Sequence, residues 1–148
     1  MNILVKALAS FFYVGCLPLA PGTFGSLAGL LIAWYFYGAL PYLVVLFSVI
    51  GFVICKPAVA VFSAKDPSSF VLDEVCGMML SVLWLPRVWF VLLLGLLLFR
   101  LFDTWKPWPI RLIQQNPNPL SILWDDLAAG ALVNVVLQAL IATRILPV

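Results

Sequence analysis

The chain has 148 residues, of which 65% are hydrophobic and 9% charged, with a formal net charge of +2 and no histidine. A soluble domain carries about 25% charged residues and needs them to cover its surface, so a water-soluble monomer is excluded and one membrane-embedded domain spanning residues 1–148 is expected. The small net charge excludes a nucleic-acid binder, and the missing histidine excludes phosphohistidine chemistry, His-containing triads and His-ligated zinc.

Lys6 followed by Ala7–Ala20 has the outline of a signal peptide. Tyr13 stands where a lipoprotein site ending at Cys16 would carry leucine, so the segment reads as an uncleaved helix, embedded or interfacial. Pro21-Gly22-Thr23-Phe24-Gly25-Ser26 follows. Its glycines let backbone N–H groups converge, Thr23 or Ser26 is suited to cap the next helix, and a helix N-terminus attracts anions. The Gly-Lys-Ser/Thr ending of a nucleotide-binding loop is absent. Leu27–Cys55 is apolar but broken by Gly38 and Pro41, which predicts two segments, about 27–40 and 42–56, joined by a tight turn.

Val75–Phe99 is interrupted at Pro86-Arg87 and reads as a hairpin of two short helices or one kinked helix. Asn116-Pro117-Asn118-Pro119 reads as a rigid loop. Leu127–Ile145 is one uninterrupted helix whose Asn134 and Gln138 share a face, suited to packing against another helix. Cys16, Cys55 and Cys76 have no metal or disulfide spacing and read as small buried residues. The expectation is an all-α fold: a compact polytopic membrane bundle of about four to six helices, some short or re-entrant.

Five of the six acids cluster as Asp73-Glu74, Asp103 and Asp125-Asp126. Acids are favoured at helix N-termini by the helix dipole, which accounts for the two pairs but not for Asp103 at a segment end. Ionisable groups at membrane depth are costly and mark function. Carboxylates from separate segments, without histidine, suit a hard cation such as Mg2+, which commonly shares its shell with a phosphate. Arg100, Lys106 and Arg111 surround Asp103 and supply the complementary charge for that phosphate. If 100–106 is helical, Arg100, Asp103 and Lys106 share a face.

An even number of crossings before each motif places Thr23, Asp73, Asp103 and Asp125 on one side. That side carries Lys56, Lys65, Arg100, Lys106 and Arg111, against Arg87 and Arg144 opposite, so the acidic side is expected to be cytoplasmic. A single crossing by 75–99 would separate Asp73 from Asp103, whereas a shallow hairpin buried in protein would keep them together.

The runs Pro21–Ser26, Asp73-Glu74-Val75-Cys76-Gly77-Met78, Phe99-Arg100-Leu101-Phe102-Asp103-Thr104-Trp105-Lys106-Pro107-Trp108-Pro109-Ile110 and Asp125-Asp126-Leu127-Ala128-Ala129-Gly130 closely resemble the phosphatidylglycerophosphatase A family over about residues 14–140. The Arg-x-x-Asp-x-x-Lys-Pro-x-Pro block is the most specific. Two loops depart from the family pattern: Asn116–Leu123 lacks the usual glycines, and Lys65-Asp66-Pro67-Ser68-Ser69 precedes Asp-Glu. The resemblance implies an all-helical, multi-pass enzyme of the bacterial inner membrane that converts phosphatidylglycerophosphate to phosphatidylglycerol with Mg2+.

On that reading Asp73, Glu74, Asp103, Asp125 and Asp126 form the candidate metal shell. Asp73, Asp103, Lys106 and Asp126 are the candidate catalytic residues, and Gly22, Thr23, Gly25, Ser26, Arg100 and Arg111 bind phosphate. The bilayer holds the acyl chains, no nucleotide or nucleic acid takes part, and the oligomeric state is left open. Two rivals are a small cation channel or transporter with a carboxylate-lined path and another lipid-phosphate transferase. A CDP-alcohol phosphotransferase would need a longer Asp-rich signature than this chain carries.

Overall fold

The computed structural model describes residues 2–62, 68–108, 110–115 and 118–146. Expectations placed on Lys65, Asp66, Pro67, Pro109, Asn116 and Pro117 lie outside the described residues. The described chain is all-helical: α1 (Asn2–Ala9), α2 (Pro21–Tyr35), α3 (Leu40–Phe62), α4 (Leu72–Ser81), α5 (Trp89–Trp105), α6 (Ile110–Gln114) and α7 (Ser121–Ala142), with short 3-10 turns at Val14–Cys16 and Tyr37–Ala39. The expected all-α bundle is borne out, carried by five longer helices and flanked by the short α1 and α6.

The helices begin earlier than the apolar runs do. Proline fits the first turn of a helix, where its missing N–H is not needed, so α2 starts at Pro21 and the Pro-Gly-Thr-Phe-Gly-Ser run lies inside it. The N-cap is Ala20, not Thr23 or Ser26; Thr23 is exposed, and the Ser26 hydroxyl donates to the Gly22 carbonyl at 2.9 Å. Likewise α7 starts at Ser121, which puts Asp125 and Asp126 inside the helix rather than ahead of it. The break at Gly38 forms the turn between α2 and α3, and Pro41 sits at the tolerant start of α3.

Helix α4 is the centre of the bundle, in contact with α2, α3, α5 and α7. Its ten residues reach about 15 Å at 1.5 Å per residue. The chain then turns through residues 82–88 and returns as α5, so 75–99 is a hairpin. Ending a helix inside an apolar bundle strands its last carbonyls. Here the Asn134 amide of α7 donates to the carbonyls of Ser81 (3.2 Å) and Leu83 (2.8 Å), and the Tyr37 hydroxyl donates to that of Leu85 (2.7 Å). Gln138 donates to the Asn134 side-chain oxygen at 2.6 Å and fixes that amide's orientation. The packing role expected of these amides holds for Asn134, whereas Gln138 is exposed and reaches only Asn134, four residues back on the same helix.

Glycines let the helices close on α4. A Cβ at Gly130 of α7 would collide with the Gly77 carbonyl of α4, and one at Gly29 of α2 would lie 2.8 Å from the Val75 carbonyl. The core combines Leu30, Val75, Met78, Met79, Leu92, Phe99, Val133 and Leu137. Apolar side chains also point outward along whole helices: Leu27, Leu31 and Tyr35 on α2; Val45, Val49 and Val53 on α3; Leu93, Leu97 and Leu101 on α5. Among the described residues Tyr37–Phe62 and Ser121–Ala142 are long and apolar enough to cross a membrane. Cys55 and Cys76 are buried as expected, but Cys16 is exposed, because the chain leaves helical geometry after α1 and carries it outward in a 3-10 turn.

Candidate active site

Four helices bring their ends to one place. The first turn of α4 supplies Asp73 and Glu74, the last two turns of α5 supply Arg100 and Asp103, the second turn of α7 supplies Asp125 and Asp126, and α2 contributes its N-terminus. The hairpin of α4 and α5 is what returns Asp103 to the level of Asp73.

Asp73, Glu74 and Asp126 converge, with one carboxylate oxygen from each lying within 4.8 Å of the others. Asp73 and Asp126 are buried, 5% and 3% exposed. Asp103 lies close enough to Asp126 for the two carboxylates to repel each other. Burial pushes the Asp73 carboxyl well above the usual carboxylate range, and the adjacent Glu74 and Asp126 charges push the same way. Burial also raises Glu74. The Glu74 Oε2 atom is buried without a hydrogen-bond partner among the described residues. Buried carboxylates that repel one another, with an orphaned oxygen among them, are a donor set that a divalent cation satisfies. All the donors are hard oxygens, which fits Mg2+ by type.

The basic residues are placed around this cluster. Arg100 Nη1 donates to Asp103 Oδ2 at 2.7 Å and to the Ser26 hydroxyl at 3.5 Å. The α-carbon of Gly22 faces the Glu74 carboxylate and Arg100: a Cβ there would collide with Glu74 Oε1 and lie 3.2 Å from Arg100 Nη1. The α2 N-terminus, with backbone N–H groups unused by the helix, therefore sits directly against Glu74 and Arg100. Gly25 and Ser26 are buried behind it, where a Cβ at Gly25 would meet Val71 at 2.9 Å.

Lys106 ends α5 in the left-handed conformation, φ 47° and ψ 66°, and its ammonium donates to Asp125 Oδ2. Burial alone would lower the Lys106 pKa, but the Asp125 hydrogen bond and the Asp125, Asp126 and Asp103 charges outweigh it and hold it above its usual value. The helical face expected for Arg100, Asp103 and Lys106 thus extends only to Asp103: α5 stops at Trp105, and Lys106 turns away to α7. Arg111 is exposed on α6 and makes no ion pair with a described acid.

The sequence reading found the acids and bases but not Asn134 as the cap of α4, nor Gly77–Gly130 as the contact that aligns Asp73 with Asp126. The spacing Gly22–Gly25–Gly29, at three and four residues along one helix face, was the available signal for close packing.

The sequence profile of phosphatidylglycerophosphatase A matches residues 7–141. The chain is 37% identical over 132 residues to the phosphatidylglycerophosphatase A of Escherichia coli K12, covering 84% of this chain and 76% of that protein. It is 31% identical over 143 residues to the phosphatidylglycerophosphatase A of Haemophilus influenzae, covering 92% and 88%. A Bacteroides thetaiotaomicron protein whose name proposes a phosphatidylinositol-3-phosphatase is 29% identical over 130 residues, covering 80% and 82%. No solved structure matches the chain. A profile match over nearly the whole length, two relatives above 30% identity, and Arg100, Asp103 and Lys106 gathered beside a buried acid cluster together place this chain in the phosphatidylglycerophosphatase A family of phosphatase enzymes.

Proposed function

We propose that this chain hydrolyses the phosphate monoester of phosphatidylglycerophosphate to phosphatidylglycerol in a bacterial inner membrane, with Mg2+ held by Asp73, Glu74 and Asp126. The observation that carries the reading is the convergence of these three carboxylates, with an orphaned Glu74 oxygen, at the same end of the bundle as Arg100 and Lys106. A bound magnesium ion supplies charge neutralisation at the phosphate and a water of lowered pKa.

The chain's own groups supply the rest. The Gly22 and Thr23 backbone N–H groups and the Arg100 guanidinium hold phosphate oxygens, with Asp103 and Ser26 orienting Arg100. Asp103 has one oxygen on Arg100 and lies beside Asp126, so its other oxygen is placed to accept a proton from the attacking water. Lys106 stabilises the charge that develops on the transferring phosphoryl group. The acyl chains stay in the bilayer, against the outward apolar faces. Lys56, Arg100, Lys106 and Arg111 lie towards the acidic end, while Arg87 stacks over Trp34 at the opposite end, which supports a cytoplasmic active site. A cation path would need carboxylates along the bundle, whereas the described acids all lie at one end of it.

The test is phosphate release from phosphatidylglycerophosphate in mixed micelles by the purified protein. Activity with Mg2+ and its loss in EDTA are expected, and Asp73→Asn and Asp126→Asn should each lower turnover by at least about 100-fold. Undiminished release in EDTA, or from both variants, would sink the reading.

A further inference from the structure

The two adjacent aspartates of α7 face different partners. Asp126 points to Asp73, Glu74 and Asp103. Asp125, one residue earlier and about 100° round the helix, has both oxygens engaged: Oδ1 accepts from the Asp126 backbone N–H at 3.1 Å, and Oδ2 accepts from the Lys106 ammonium. It is 4% exposed and lies outside the group of three that could share a cation. Its partner is held in an unfavourable backbone conformation: Lys106 has a positive φ and is followed by Pro107, which blocks continuation of the helix. Left-handed geometry in a non-glycine residue persists where the surroundings over-determine it, and here it aims the lysine across to α7.

Resting on the phosphatase reading above, we infer that Asp125 is a positioning residue for Lys106 and not a cation ligand, and that the Asp125-Asp126 pair divides its work, Asp126 to the cation and Asp125 to the lysine. Asp125 sets where the ammonium stands, and the ammonium meets the phosphate. Two neighbouring carboxylates with one sequence signature then have separable effects, one on cation affinity and one on turnover.

The experiment has a binding arm that needs no substrate. Mn2+, a paramagnetic stand-in for Mg2+, is titrated into purified protein in detergent, and free Mn2+ is read by EPR. Asp126→Asn should weaken binding by at least about 100-fold, above the ~10–100-fold typical of losing a group that only supports a ligand, and Asp125→Asn should leave affinity close to that of the wild type, because only Asp126 belongs to the converging group of three. In the kinetic arm, Asp125→Asn and Lys106→Ala should each lower kcat by about 100-fold with little change in KM. The double variant should be no slower than Lys106→Ala alone, because the two residues act as a unit.

Equal loss of Mn2+ affinity in both aspartate variants overturns the division, as does a multiplicative loss of kcat in the double variant. Wild-type protein that binds no Mn2+ also overturns it. Wild-type protein that binds Mn2+ but releases no phosphate sinks the phosphatase reading, while the binding arm still decides the cation side of the inference. If Asp125→Asn alone fails to fold, Asp125→Asn with Lys106→Ala leaves neither charge unpaired and carries the binding arm.

Discussion

Lys106 concentrates the problem of reading this site at the scale of single residues. The sequence places it three positions after Asp103 and suggests one shared helical face. The structure ends α5 at Trp105 and turns Lys106 into the left-handed region, so that it pairs with Asp125 instead. Which acids and bases would gather was legible from their rarity; which pairs would form was not, since that depends on a backbone reversal at one non-glycine residue. The strain and the ammonium can be separated. Lys106→Ala and Lys106→Gly both remove the charge, but only glycine adopts positive φ freely. Lys106→Gly should unfold in detergent with a stability about 1 kcal/mol above that of Lys106→Ala, while both lose turnover alike. Equal thermal midpoints for the two would show that residue 106 carries no backbone strain.

At the scale of elements, the site depends on helices meeting at short range. Hydropathy located the apolar runs, and the interruption at Pro86-Arg87 correctly announced a hairpin as one of two options. The helix starts were missed at both Pro21 and Ser121, because the Pro-Gly-Thr turn of α2 and the Asp125-Asp126 pair within α7 interrupt the apolar pattern without interrupting the helix. Asp125 and Asp126 therefore lie in the second turn of α7 and not ahead of it, so the missed start is also missed geometry of the site. Gly130 tests the contact that brings α7 onto α4. A methyl group there meets the Gly77 carbonyl, and overpacking of this kind costs about 1–3 kcal/mol. Gly130→Ala should therefore lower the unfolding midpoint in detergent and weaken cation binding together, whereas Gly38→Ala, with nothing within 4 Å of the added atom, should do neither. A silent Gly130→Ala would mean that α4 and α7 can separate without disturbing the acids.

For the whole molecule, composition leads to the expectation of a membrane bundle, and the outward leucines and valines of α2, α3 and α5 support that proposal. Orientation rests on charge bias. On a background without Cys16, Cys55 and Cys76, a cysteine at exposed position 38 should react with an impermeant reagent in intact cells, and one at exposed position 68 only after permeabilisation. The reverse pattern would place the acidic end outside. The central position of α4 also bears on how the protein is made. Too short to span on its own and capped by Asn134, α4 leaves the ribosome about 40 residues before α7 begins, the interval from Ser81 to Ser121. Until α7 has been synthesised and docked, the carbonyls of Ser81 and Leu83 lack their amide donor and Asp73 lacks Asp126. The acid cluster therefore assembles only when α7 has been made, about 40 residues of synthesis after α4, and until then α4 holds its polar first turn without the partner that completes it.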